Sequence, residues 1–253
     1  MNPAPRTHLT VGITHVGKVR KNNQDSLKIE EISDRETLLV VADGMGGHAG
    51  GAEASRIAVD HVMECVLTAH KAAEPSPDKR AVLREAILGA HAQIRTRGQN
   101  DRALQGMGTT CVAVHLDGNE ALWAHVGDSR IYLHQPGHLE LLTRDHSRVQ
   151  QLVDHGLISP DEARTHPYRN VITQALGPMD KIQVDVGPEP IALGPDEQLL
   201  LCSDGLSGML TDQEITDVLD RHPDAEDAAS ALIQGALDSG GDDNITVVLG
   251  RLA

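Results

Sequence analysis

Four apolar runs in this chain end or begin on an acid, and they lie far apart. Residues 38–41 (LLVV) run into Ala42-Asp43 and a glycine-rich loop, Gly44-Met45-Gly46-Gly47-His48-Ala49-Gly50-Gly51. Residues 199–202 run into Ser203-Asp204-Gly205, and residues 122–126 into Gly127-Asp128-Ser129-Arg130. Asp242-Asp243-Asn244 precedes the apolar residues 245–249. Short apolar runs of this kind read as buried strands. A carboxylate at the end of a buried strand is costly unless something positive pairs with it. Glycines beside it let the backbone approach whatever sits there. One Asp-Gly pair is an ordinary turn signal. Repetition at several strand ends favours one shared cluster of carboxylates around hard divalent cations.

Such a cluster spans Asp43 to Asp243, so both ends of the chain must share one core. Residues 1–253 therefore read as a single domain, although the length would allow two. Hydrophobic residues make up 40%, with no Phe, one Trp and two Tyr. This core is aliphatic, which argues against aromatic platforms for nucleic-acid bases. The formal net charge of −15 disfavours binding to nucleic acid or anionic membrane. An anionic substrate then needs local positive charge, from metals or an arginine. Cys65, Cys111 and Cys202 form no CxxC pair and read as small buried hydrophobes in a reducing compartment. No apolar signal core or membrane-length run appears, so the reading is a cytoplasmic protein, expected as a monomer.

In chain order, residues 9–14 read as a strand, followed by a polar, basic turn over 17–25 that ends on Asp25. Strands over 27–32 and 36–42 pair as a hairpin. Apolar spacing predicts helices over 52–69 and 79–97. Residues 107–116, 121–126, 131–134 and 139–142 read as an antiparallel meander with a hairpin turn at Asp117-Gly118-Asn119. Residues 145–177 are polar and rich in His and Arg, and read as an irregular flap. Within it, residues 149–155 look helical, and Ser159-Pro160 starts a further helix. Strands over 182–186 and 198–202, helices over 205–220 (with Thr211 as a cap) and 225–239, and a strand over 245–251 complete the chain.

Oxygen-only ligation at Asp43, Asp204 and Asp243 suits Mg²⁺ or Mn²⁺. Two such ions about 3.5–4 Å apart can activate a water and clamp a phosphoryl oxygen. Arg20 carries the fork that matches phosphate oxygens, although a lone arginine is more often a surface charge. The loop from Gly44 to Ala49 also satisfies GxGxxG/A. Asp43 would repel a pyrophosphate there, and two successive helices follow where a dinucleotide fold needs helix then strand. His48, in the same loop, is a candidate for reaching the site. No P-loop, nucleophile elbow, EF-hand spacing or HExxH helix occurs.

Arg20-x-x-Asn23-Gln24-Asp25, Asp43-Gly44-Met45-Gly46-Gly47, Gly108-Thr109-Thr110, Gly127-Asp128-Ser129-Arg130, Ser203-Asp204-Gly205-Leu206 and Asp243-Asn244-Ile245-Thr246 occur in that order. Together they resemble the metal-dependent protein phosphatases, the type 2C Ser/Thr phosphatases, in their stand-alone bacterial form. The resemblance implies an α+β fold, a four-layer α-β-β-α sandwich of two antiparallel sheets flanked by helix pairs. It implies two or three Mn²⁺ or Mg²⁺ ions, with Asp43 bridging two and the Gly44 carbonyl on one. Asp204 and Asp243 would complete the other, and Asp128 with Asp204 would hold a third. Asp25 would hold water beside the ions, Arg20 would bind the substrate phosphate, and residues 145–177 would form a flap subdomain.

The implied activity is hydrolysis of phosphoserine or phosphothreonine on proteins, substrates of a Ser/Thr kinase. A cation-activated water would attack in one displacement, without a covalent phosphoenzyme. Gln24 stands where many relatives have Glu. Met45 stands where animal-type relatives have a His thought to act as general acid, so the leaving-group proton must come from elsewhere. A catalytically silent phosphoprotein-binding module on the same fold is the alternative. An acidic calcium-binding structural protein is another, and it leaves Arg20 and the flap without a role.

Overall fold

The computed structural model describes residues 7–46, 50–72 and 78–253. Chain order is β1 (His8–His15), β2 (Asp25–Glu31), β3 (Glu36–Met45), α1 (Gly50–Ala72) and α2 (Lys79–Asn100). A 3-10 turn at Arg102–Leu104 leads into β4 (Gly108–Thr109), β5 (Cys111–Asp117), β6 (Glu120–Val126), β7 (Arg130–Gln135) and β8 (His138–Leu141). Then come α3 (Arg148–Asp154), α4 (Pro160–Thr165), β9 (Asp185–Val186), β10 (Ile191–Ala192) and β11 (Gln198–Cys202). The short α5 (Asp204–Ser207), α6 (Asp212–Arg221), α7 (Ala225–Asp238) and β12 (Ile245–Leu252) finish the chain.

The strands form two antiparallel sheets. One has the order β1-β12-β11-β7-β8, and the other β10-β6-β5-β3-β2, with β4 on β3 and β9 on β6. In β3, side chains alternate between two covered faces. Leu38, Val40 and Ala42 pack against Ala54, Ala58 and Val62 of α1 and Leu83 and Ile87 of α2. Leu39 and Val41 point the other way and meet Leu199, Leu201 and Val248 between the sheets. Leu200 and Cys202 face Ile215 of α6 and Leu232 of α7. Strands covered on both faces read as continuous apolar runs, which is why β3 and β11 stand out in the sequence. The layers are helix pair, sheet, sheet, helix pair, as the resemblance implies. Cys111 and Cys202 are fully buried, Cys65 is half-buried, and all three thiols are free.

Several elements differ from the sequence reading. Asp25 is not the end of a turn but the first residue of β2, opposite Asp43. Residues 107–116 break into β4 and β5 because Thr110 N–H bonds Asp43 O at 2.9 Å. The meander is split: β5 and β6 belong to one sheet and β7 and β8 to the other, so the chain changes sheets at Gly127-Asp128-Ser129. The strand over 182–186 is only Asp185–Val186, where it pairs with Ala124 and His125. The helix over 205–220 is two, because Thr211 starts a new one with a reciprocal Thr211–Glu214 capping box. β10 carries no sequence signal beyond two residues.

A charged pin joins the sheet to its helices. Lys79 Nζ lies 2.7 Å from Glu36 Oε1 and 2.7 Å from Asp117 Oδ2, and His70 Nδ1 lies 2.9 Å from Glu36 Oε2. His115, buried beside them, is pushed down to about 4 by burial and then by the Lys79 charge, against the pull of Glu36 and Asp117. The unfolded chain, with an ordinary histidine value near 6.5, takes up this proton first as pH falls. The contribution is therefore intact above about pH 6.5 and is lost between about 6.5 and 4. Relative to His115→Gln, which cannot titrate, the wild type is expected to lose about 2 kcal/mol between pH 7 and pH 5. Urea unfolding of both proteins at the two pH values measures this. An unchanged difference would refute it.

Candidate active site

The sandwich brings the predicted acids to one end. Asp43 lies in the last part of β3, Asp204 follows β11, Asp243 precedes β12, Asp128 sits where the chain changes sheets, and Asp25 begins β2. Each position has local support. Thr109 Oγ1 donates to Asp43 O at 2.8 Å, and Asp43 N–H donates to Thr110 Oγ1 at 2.9 Å. Thr110 Oγ1 is 2.7 Å from Ser129 Oγ, which ties the Asp43 strand to the Asp128 turn. Gly44 N–H donates to Gln24 O at 3.1 Å. A Cβ on Gly44 would lie 2.2 Å from Gly51 O, so only glycine lets the start of α1 pack here.

Asn244 fastens the Arg20 loop to the Asp243 loop. Its Nδ2 donates to Val16 O at 2.8 Å and Asn22 O at 3.0 Å, and its Oδ1 accepts from Gln24 N–H at 2.8 Å. Arg20 Nη2 then reaches Asp243 Oδ2 at 2.7 Å. The hydrogen bond and charge of Asp243 raise the arginine above its ordinary value, so it is always cationic. Half of the Arg20 side chain stays exposed, at the rim of the acids. Gln24 Nε2 donates to Gly46 O at 3.3 Å and supports the glycine loop as an amide.

The electrostatics are those of a site built for cations. Burial raises the Asp43 carboxyl well above its usual range, and the charges of Asp25, Asp204 and Asp128 add to the rise. Asp43 and Asp204 face each other closely enough to share a proton. Burial also raises Asp128, helped by Asp204 and Asp145, and raises Asp204, helped by Asp243. Asp25 is pushed to about 6 by burial, opposed by hydrogen bonds from Thr246 and Ser203. Those hydroxyls donate to Asp25 Oδ2 at 2.6 and 2.8 Å. Oδ1 of Asp25, Asp128 and Asp204 are buried and have no hydrogen-bond partner among the described residues. Buried acceptors are normally satisfied, and ionised ones cost far more when they are not. An all-oxygen donor set with orphaned, mutually repelling carboxylates fits Mg²⁺ or Mn²⁺.

Sequence reasoning missed the residues that support the acids. Ser203, Thr246 and Asn244 hold Asp25 and the Arg20 loop, and Thr109 and Thr110 hold Asp43. All lie inside the ordered motifs, so adjacency to an acid was the available signal. Asp145 carried no such signal. It forms a forked pair with Arg130, Nε to Oδ1 at 3.0 Å and Nη2 to Oδ2 at 2.8 Å. His48 lies outside the described residues, as do Gly47 and Ala49. A cavity of about 520 Å³ lined by Arg95, Arg102, Met107 and Gly177 contains none of the acids and is not this site.

The protein phosphatase 2C family matches residues 12–237. The serine/threonine phosphatase Stp of Listeria welshimeri is 38% identical, over 93% of this chain and 92% of its own. The crystal structure of the Mycobacterium tuberculosis serine/threonine phosphatase PstP superposes with a TM-score of 0.86 at 36% identity, covering 97% of this chain and 99% of that one. The PstP catalytic domain in complex with 2 manganese ions gives 0.82 at 35% identity, over 98% and 99%. The family match takes in Arg20 and every acid of the cluster except Asp243, and on that coverage the chain belongs to the protein phosphatase 2C family.

Proposed function

We propose that Asp43, the Gly44 carbonyl, Asp204 and Asp243 hold two Mn²⁺ or Mg²⁺ ions, and that Asp128 with Asp204 holds a third. The enzyme is a metal-dependent Ser/Thr protein phosphatase acting on phosphoproteins. The observation that carries the residue assignment is the set of orphaned buried oxygens on Asp25, Asp128 and Asp204. When bound, the ions supply positive charge for the phosphoryl oxygens and make a water at the site more acidic.

The chain's own residues do the rest. Arg20 lays its fork on the substrate phosphate, with one arm fixed by Asp243. It stabilises charge that spreads over the phosphoryl oxygens as the leaving oxygen departs. Asp25 has one oxygen held by Ser203 and Thr246, so the other is left to accept a hydrogen bond from a water beside the ions. Cys111 and Cys202 are buried, and burial pushes both thiols up to about 12, so neither serves as a nucleophile. Met45 cannot donate a proton to the leaving group.

In this reading the chain is one catalytic domain, with residues 145–177 as a flap subdomain beside the site. It works as a cytoplasmic monomer on the products of a Ser/Thr kinase, and binds neither nucleic acid nor membrane. No helix among the described residues is long and apolar enough to cross a membrane. Hydrolysis of p-nitrophenyl phosphate and of a phosphothreonine peptide tests the assignment. Turnover is expected with Mn²⁺ or Mg²⁺, absent with chelator or Ca²⁺ alone, and lost in Asp204→Ala. Near-normal turnover by Asp204→Ala at saturating Mn²⁺ would overturn it.

A further inference from the structure

One imidazole ties the flap to the turn that carries Asp128. The His146 side chain is about nine-tenths buried. Its backbone N–H donates to Gly127 O at 2.8 Å, and Gly127 N–H donates back to its Nδ1 at 3.1 Å. His146 O accepts from Thr173 N–H, across the root of the flap, at 2.7 Å. The ring stacks on His125, with centroids 4.7 Å and planes 22° apart. His125 Nε2 donates to Arg144 O at 3.1 Å, which places its lone pair on the buried Nδ1.

His125, His146 and Asp185 lie within ligand distance of one another, which invites a metal site. The proton count speaks against one. A backbone amide only donates, so His146 Nδ1 holds the lone pair and Nε2 carries the proton. That proton points to Asp185 Oδ2 at 3.3 Å. A cation on Nε2 would move the proton to Nδ1 and set it against the Gly127 N–H, donor to donor. The cluster is a hydrogen-bond clasp.

We infer that His146 is a positioning residue: it fixes the Gly127-Asp128 turn, and with it the Asp128 carboxylate, to the root of the flap. The inference rests on the reading of Asp128 as a cation ligand. Gly127 stands at φ +110°, and a Cβ there would lie 2.6 Å from Thr110 Cγ2. Glycine has little conformational preference of its own, so its bonds decide its geometry. His146 bonds both its N–H and its C=O. Asp128 follows directly, and its buried Oδ1 has no hydrogen bond to hold it among the described residues. Asp185 fixes the tautomer and also accepts from Gln183 Nε2 at 2.9 Å. Movement of the flap root therefore reaches Asp128 through the ring and backbone of His146, beside the Arg130–Asp145 pair.

His146→Leu removes the acceptor for Gly127, whereas His146→Asn returns an oxygen near the position of Nδ1. Two readouts apply, hydrogen exchange at the Gly127 amide and Mn²⁺ binding by calorimetry. In His146→Leu, Gly127 is expected to exchange faster, and one Mn²⁺ to bind about 10–100-fold more weakly, with most of both effects recovered in His146→Asn. Wild-type exchange and a wild-type isotherm in His146→Leu would overturn the inference. Asp128→Ala, measured alongside, separates the two readings. If it binds Mn²⁺ as the wild type does, the Asp128 ligand assignment has failed, and Gly127 exchange alone decides the clasp. If His146→Leu does not fold, Asp185→Ala replaces it, because it leaves the ring in place and removes the Nε2 acceptor, together with one bond from Gln183. Unchanged Gly127 exchange in that variant would also overturn the inference.

Discussion

Asp43→Asn is expected to lower kcat/KM by about 10³-fold or more while raising the melting temperature of the chelated protein. The first effect follows from the role proposed for Asp43 between two ions, which supply several kcal/mol of charge stabilisation in the transition state, each 1.36 kcal/mol being tenfold in rate. The second follows from repulsion. Asp43 faces the charges of Asp25, Asp204 and Asp128 in a half-buried site. An amide removes its share of that repulsion and can donate a hydrogen bond to the neighbouring Asp204. For a chain of this size each kcal/mol gained moves the midpoint by about 2–4 °C. Opposite signs for activity and stability distinguish a functional acid from a structural one. A residue that merely finished a turn would lose stability and keep turnover. Turnover against Mn²⁺ and a thermal melt with chelator measure the two effects.

Arg20→Ala should lower kcat/KM on a phosphopeptide by about 10²–10³-fold, the cost of removing one preorganised donor from developing charge. The Arg20 guanidinium is held by Asp243 Oδ2 at 2.7 Å, and its other N–H groups have no partner among the described residues. Arg20→Lys should recover only part of the loss, because an ammonium cannot make the two parallel bonds of the fork. The Mn²⁺ concentration for half-maximal activity should change far less than kcat/KM, since the role proposed for Arg20 is on the substrate and not on the metal. If Arg20 were an ordinary surface charge, both variants would stay within about fivefold, the upper range of an exposed ion pair.

The strands whose two faces are both covered were legible in the sequence, because residues 38–42 of β3 and 199–202 of β11 are unbroken apolar runs. The acids themselves were legible for the same reason: Asp43 directly follows one such run, and Asp204 follows the other after Ser203. Asp25 was harder to place. It opens β2 among polar neighbours, and only its pairing with Asp43 puts it in the sheet. The change of sheet at Gly127 leaves no trace in periodicity, because β6 and β7 each alternate as they would in one meander. It requires a glycine with positive φ packed against Thr110, which is a tertiary fact. The division of the helix after Asp204 was legible in part, since Thr211 and Glu214 have the spacing of a capping box. The supports of the site were not legible. Thr246 and Ser203 meet Asp25 across 221 and 178 residues of chain. His146 reads as one of several histidines in a polar flap until its ring is seen on Gly127.

The most direct test of the cation cluster is anomalous diffraction at the manganese edge from crystals grown with Mn²⁺. The account predicts peaks among the oxygens of Asp43, Gly44, Asp204 and Asp243, a further peak beside Asp128, and none between His125, His146 and Asp185. Full Mn²⁺-dependent activity in solution with no peak at Asp43 and Asp204, or a peak at the histidine pair in their place, would contradict it.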